Sequence, residues 1–218
     1  MNRRTLLLGV AAAALLAAAG WTALRNGSGE SVLASPAEAA GNGALLPDIA
    51  IGSADAPITL IEYASYTCSH CAHFHEEVFK PLKRDYIDTG KVRFILREVY
   101  FDKYGLWGGQ IAQCGGDLKY YGIAGLLFAE QENWIGDRKE PTIAENLRKI
   151  GLKAGLTKDQ IEACLNDTAR AEAMVATYQH NATADGIEGT PSMVINGEKY
   201  SNMGYDALRK ILDAKLGG

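Results

Sequence analysis

The sequence is short of positive charge: 22 Lys and Arg stand against 26 Asp and Glu in 218 residues, for a formal net charge of -4. No basic run follows the first few residues, so the electrostatic footprint that a nucleic-acid partner requires is missing. No phosphate-binding loop and no serine-nucleophile elbow occurs, and no cofactor is expected. Cysteine is scarce, at four residues: Cys68, Cys71, Cys114 and Cys164. A c-type haem attachment is excluded, because Ala72 stands where a histidine must follow the second cysteine. At 47% hydrophobic and 22% charged residues, the chain has the apolar material for one sizeable core and falls within the range of a single domain carrying an insertion.

The amino terminus reads as a targeting segment. Asn2-Arg3-Arg4 precedes an uncharged, Leu- and Ala-rich stretch from Thr5 to Leu24, the pattern of a positive n-region followed by an apolar h-region. The paired arginines resemble a twin-arginine signal, although an ordinary secretory signal is basic there too. A small-residue cleavage site, Ala37-Glu38-Ala39, lies beyond a polar linker and far from the apolar stretch, which is itself about long enough to span a bilayer. Residues 1–39 are therefore read as a signal peptide or membrane anchor plus linker, and the rest of the chain as exported.

From residue 40 onward the periodicity alternates. Residues 49–52 form a short strand candidate, and Asp55-Ala56-Pro57 is a turn leading into an apolar strand at 58–64. A helix over 68–86 follows, with Phe74, Val78, Leu82 and Tyr86 on one face and a kink predicted at Pro81. Residues 91–99 read as another strand. The stretch 104–185 has helical periodicity in several pieces, broken at Gly115-Gly116, Glu140-Pro141 and 155–157, and Thr157 with Gln160 forms a capping box. Strand signals return at 192–195, then the tight turn Asn196-Gly197, the returning Lys199-Tyr200, and an amphipathic helix over 205–216 facing the core with Leu208, Ile211 and Leu212. The order is βαβ, a helical insert, then ββα.

Cys68-Ser69-His70-Cys71 follows the apolar strand and opens the first helix. The free N–H groups and positive dipole end of a helix start favour an anion, so Cys68 should be held as thiolate, with Cys71 one turn along and able to reach back to it. That is the geometry of a reversible dithiol–disulfide switch.

This arrangement resembles the DsbA family of bacterial periplasmic thiol oxidases. Three features carry the resemblance: the C-x-x-C after the central strand, Thr190-Pro191 before a late strand, and the helical insert between the two halves. It implies an α/β thioredoxin fold made of 40–101 and 186–218, with 102–185 as an inserted helical domain. It also implies an enzyme that donates the Cys68-Cys71 disulfide to reduced, newly exported proteins in the periplasm and is reoxidised by a membrane quinone-linked oxidase. Cys68 would be the nucleophile and Cys71 the resolving thiol, with His70 favouring the thiolate. Pro191 matches a cis-proline that faces the dithiol, and the backbone beside it, with Thr190, would pair with an extended substrate strand; a trans turn proline is the alternative. Ser69 departs from the proline of the best-known DsbA enzymes, which leaves the redox potential open.

Glu62 lies within the strand before the motif, where thioredoxin-like proteins place a buried carboxylate that passes a proton to or from the second cysteine. The alternative is an outward-facing strand glutamate, and both strand faces are apolar enough to leave the choice open. For an exported chain with an even cysteine count, a structural Cys114–Cys164 disulfide is the simplest account, and some members of the family carry a second bond; two free buried thiols are the alternative. An isomerase or reductase is the competing direction, favoured by Thr190 before the proline. No dimerisation segment is evident, which counts against an isomerase and fits a monomer. A metal carrier using Cys68, Cys71, His73 and His75 is the competitor from another class, but histidines two residues apart point to different sides of a helix, so no metal is expected.

Overall fold

The computed structural model describes residues 45–217; the segment expected to be a leader, with its expected cleavage site, lies outside the described residues. Among the described residues no helix is long and apolar enough to cross a membrane. Five strands form one sheet in the order β1-β3-β2-β4-β5: β1 Ala50–Ile51, β2 Ile58–Ala64, β3 Val92–Glu98, β4 Ser192–Ile195 and β5 Glu198–Ser201. Only β2 and β3 pair in parallel. A parallel pair needs a long crossover, and the helical run over 69–87 (α1) supplies it. β2 and β3 occupy the sheet interior, which explains why neither reads as a clean apolar and polar alternation.

The α1 stripe packs as the periodicity requires: Phe74, Val78, Leu82 and Tyr86 are all buried. Burial of side chains of this size stabilises by about 1.5–3 kcal/mol each before entropy is counted. Pro81 does not end the run. α-helical turns at Ser69–Phe74 and Lys80–Leu82 alternate with π-helical turns at His75–Phe79 and Lys83–Ile87. The wide turn just before the proline makes room for a ring that would clash with the carbonyl four residues back in a regular helix.

Six helices lie between β3 and β4: α2 Lys103–Cys114, α3 Asp117–Ala129, α4 Gln131–Ile135, α5 Glu140–Lys153, α6 Lys158–Leu165 and α7 Thr168–Ala184. The α2–α3 break falls at Gly115-Gly116, where Gly116 turns the chain at φ 66°. Glu140-Pro141 proves to be the first turn of α5, because a proline there gives up an N–H that would have had no partner anyway. Thr157 and Gln160 form the capping box of α6. The insert and the sheet share one apolar core, which runs from Ile58 and Leu60 through Tyr66 and Ile111 to Leu147 and Ile161.

The β4–β5 hairpin turns on Asn196 and Gly197, both at positive φ (49° and 83°), the requirement of a two-residue turn between twisted strands. Asn196 also accepts from the Thr59 N–H at 2.8 Å, tying the hairpin to the start of β2. The last helix, α8 (Tyr205–Lys215), buries Leu208 and Leu212, while Ile211 is partly covered.

Candidate active site

Three parts of the chain meet at the end of β2. The loop Ser65–Thr67 leads to Cys68, the N-cap of α1, and its approach is fixed from two sides. Gln131, from α4, donates its amide to the carbonyls of Tyr66 (2.8 Å) and Cys68 (3.0 Å). Thr67 donates its hydroxyl to Asp102 (2.6 Å), whose other carboxylate oxygen caps α2 by accepting from the N–H groups of Tyr104 and Gly105. The third part is the segment before β4, where the Thr190-Pro191 peptide is cis and the Thr190 carbonyl oxygen lies 3.5 Å from the Cys68 sulfur.

The two thiols are free and unlike each other. Cys68 is half-buried and Cys71 fully buried. The hydrogen bond from the Cys71 thiol is the main cause that lowers Cys68 to about 5; Thr190 and the backbone N–H groups of Cys71 and His70 add to it against partial burial. The same hydrogen bond, with burial and the charge of Glu62, holds Cys71 far above the ordinary thiol range. One thiol is therefore a half-buried thiolate near neutral pH, and its neighbour is a protonated donor to it. His70 stands differently from the sequence-based picture: its side chain is exposed, and what it brings to Cys68 is a backbone N–H at the helix start.

Glu62 points inward and is fully buried, paired in register with Leu96 on β3 and Met193 on β4. One carboxylate oxygen bonds His75 Nε2 at 2.9 Å, and the other has no hydrogen-bond partner among the described residues. His75 is buried as well, stacked on Phe128 with ring centroids 3.9 Å apart. The four ligands considered for a metal are thereby dispersed: His75 turns into the core toward Glu62 while His73 is exposed, and among the described residues no three Cys, His, Asp or Glu side chains converge to hold a metal ion. Cys114 and Cys164 sit at the ends of α2 and α6, away from the dithiol in the sequence of elements, and are joined in a disulfide.

A match to the thioredoxin family extends over residues 45–214. Among solved structures, Wolbachia pipientis alpha-DsbA1 superposes at a TM-score of 0.70 with 27% identity, covering 80% of this chain and 93% of that one. The chain belongs to the DsbA branch of the thioredoxin family. A Rickettsia typhi protein named as a protein-disulfide oxidoreductase is 31% identical over 78% of this DsbA-type chain, which spans 62% of that relative's length. Disulfide bond formation protein D of Bacillus subtilis is 23% identical over 77% of each chain.

Some of this DsbA-type site is invisible in the sequence. His75 has a legible signal, four residues beyond Cys71 and so on the same helix face, but nothing in the sequence turns it toward Glu62. Gln131 has none, since 63 residues separate it from Cys68 and only the tertiary fold brings it to the loop. Glu98 is the other hidden member: Tyr66 and Tyr120 donate to one of its oxygens, and Tyr100 and Gln113 to the other, which braces the loop residue Tyr66 from below.

Proposed function

We propose that this chain is a protein thiol:disulfide oxidoreductase that works as an oxidase, donating the Cys68-Cys71 disulfide to reduced exported proteins. The observation that carries this is the opposed acidity of the two thiols, Cys68 lowered to about 5 and Cys71 raised. A stabilised Cys68 thiolate favours the reduced form, so the oxidised form gives up its disulfide readily.

In the cycle, a substrate thiolate attacks Cys68, the Cys68–Cys71 bond breaks, and its electron pair leaves on Cys71, which takes up a proton. A second substrate thiol then attacks the mixed disulfide and releases Cys68 as thiolate, leaving an oxidised substrate and a reduced dithiol. Thr190 and Pro191 lie beside Cys68 just before β4, where an extended substrate segment would lie along the backbone. Glu62 is the buried carboxyl assigned to the Cys71 proton. The reading includes a monomer with 102–185 as an inserted helical domain, export to the periplasm by the leader, a structural role for Cys114–Cys164, and reoxidation by a membrane quinone-linked partner.

An isomerase or reductase is the second reading, favoured by Thr190 before the proline. Two assays separate them: oxidation of a reduced test protein and repair of a scrambled one, together with the reduction potential of the Cys68-Cys71 pair. The oxidase reading expects a strongly oxidising potential and fast oxidation with little repair. A potential as reducing as that of thioredoxin would overturn it.

A further inference from the structure

Cys71 gains and loses a proton in every turn of the proposed cycle, yet it is fully buried, as is Glu62 beneath it. A buried acid can serve repeated turnover only if it exchanges protons with solvent. The hydrogen bonds of Glu62 leave one route, because its only side-chain partner among the described residues is His75. His75 is also the one member of this group that reaches a surface groove, which opens between α1 and the α3–α4 corner past Ser69, Ala72 and Phe79.

We propose that His75 is a positioning residue for the Cys71 proton, holding Glu62 in place and linking it to solvent through this groove; the proposal rests on the oxidoreductase reading above. When the disulfide opens, the electron pair left on Cys71 takes a proton by way of Glu62, which is resupplied through the His75 ring from the groove. Reoxidation runs the same path outward: Cys71 loses its proton toward Glu62 and attacks the mixed disulfide on Cys68, expelling the partner's thiolate.

The surroundings of the ring fit this task. Phe128 stacks on one face at 3.9 Å and Phe79 lies against it at 4.8 Å, so the imidazole is held in one plane with Nε2 on Glu62. Cys71 is one turn back on the same helix face. The charged groups nearest the groove are otherwise engaged: Glu76 pairs with Lys80 on α1, and Glu130 pairs with Lys153. Exposed His73 and Glu132 complete the titratable set along it. None of these reaches Glu62, whereas His75 does.

A small aromatic disulfide that releases a coloured thiol tests the proposal, because it separates the two steps in the reduced protein. The first release reports attack by Cys68 and the second reports resolution by Cys71. In His75→Phe, which keeps the aromatic stack, and in His75→Gln, which keeps a donor to Glu62, the second release should slow by about tenfold or more, as expected for loss of proton transfer. Its pH profile should lose an inflection while the first release keeps the wild-type rate and profile. In Glu62→Gln, adding His75→Phe should cost nothing further. If His75→Gln keeps the wild-type second-step profile, His75 is a structural support only and the proposal falls. Failure of the wild-type protein to show a second release would instead refute the dithiol reading itself.

Discussion

Replacing Cys71 by alanine should raise the Cys68 pKa, and by an amount the structure bounds. The largest cause of the low Cys68 value, about 5, is the hydrogen bond it receives from the Cys71 thiol, ahead of the helix-start N–H groups. A hydrogen bond to a charged group is worth about 1.5–3 kcal/mol, and about 1.4 kcal/mol corresponds to one pKa unit, so its loss amounts to about 1–2 units. Cys68 is half exposed and solvent screening weakens the interaction, which places the shift toward the lower end. Cys68 in Cys71→Ala should therefore titrate at about 6–7, and near pH 6 its thiolate fraction should drop from about nine-tenths to about half or less. The ultraviolet absorbance of the thiolate against pH, checked by the pH dependence of alkylation, measures this directly. Cys71→Ser, which keeps a donor at the same place, should recover part of the shift. If Cys68 stays near 5 in Cys71→Ala, the backbone N–H groups and helix dipole carry the acidity and the argument from the partner thiol is refuted.

Two further outcomes follow from the same geometry. The folded Cys68 value lies below its unfolded value of about 9, so its contribution to the reduced protein is full above that pH and is lost as pH falls through about 5. Cys71 is raised, so its contribution holds below about 9 and is lost as pH rises past it. Urea unfolding should accordingly show the reduced form gaining on the oxidised form from about pH 5 to about pH 9 and losing ground above; a flat difference between pH 5 and 8 would contradict the acidity split. The Cys114–Cys164 bond closes a loop of sequence separation 50, so Cys114→Ala/Cys164→Ala should lose about 4 kcal/mol in the chain-entropy reckoning, read as a lower urea midpoint with thiol exchange at Cys68 unchanged. A loss under about 1 kcal/mol would mean that the bond closes a segment already ordered in the unfolded chain.

Much of the fold was legible because local physics and tertiary context agreed. The Phe74, Val78, Leu82 and Tyr86 stripe, the Asn196-Gly197 turn and the Thr157 capping box each rest on interactions within a few residues, and each occurs where the spacing places it. Pro81 predicts a kink because a regular helix cannot hold it; widening to π turns is a response of the packed helix that no sequence window encodes. Glu140-Pro141 predicts a break for the same reason, although a proline is equally at home in a first helical turn.

The amino-acid sequence by itself determined the order of elements and the strand-to-helix placement of Cys68 and Cys71, because these depend on periodicity, capping and turn chemistry along the chain; that Pro191 faces them was implied only by the family resemblance. Only the tertiary structure decided that Glu62 points inward onto His75, that Gln131 and Asp102 clamp the loop before Cys68, and that His70 contributes through its backbone. Those outcomes depend on which face of β2 meets α1, and on helices more than thirty residues away that pack against it. Strand alternation could not tell one apolar face from the other, so the proton path to the buried thiol became visible only when the sheet and the insert closed on a common core.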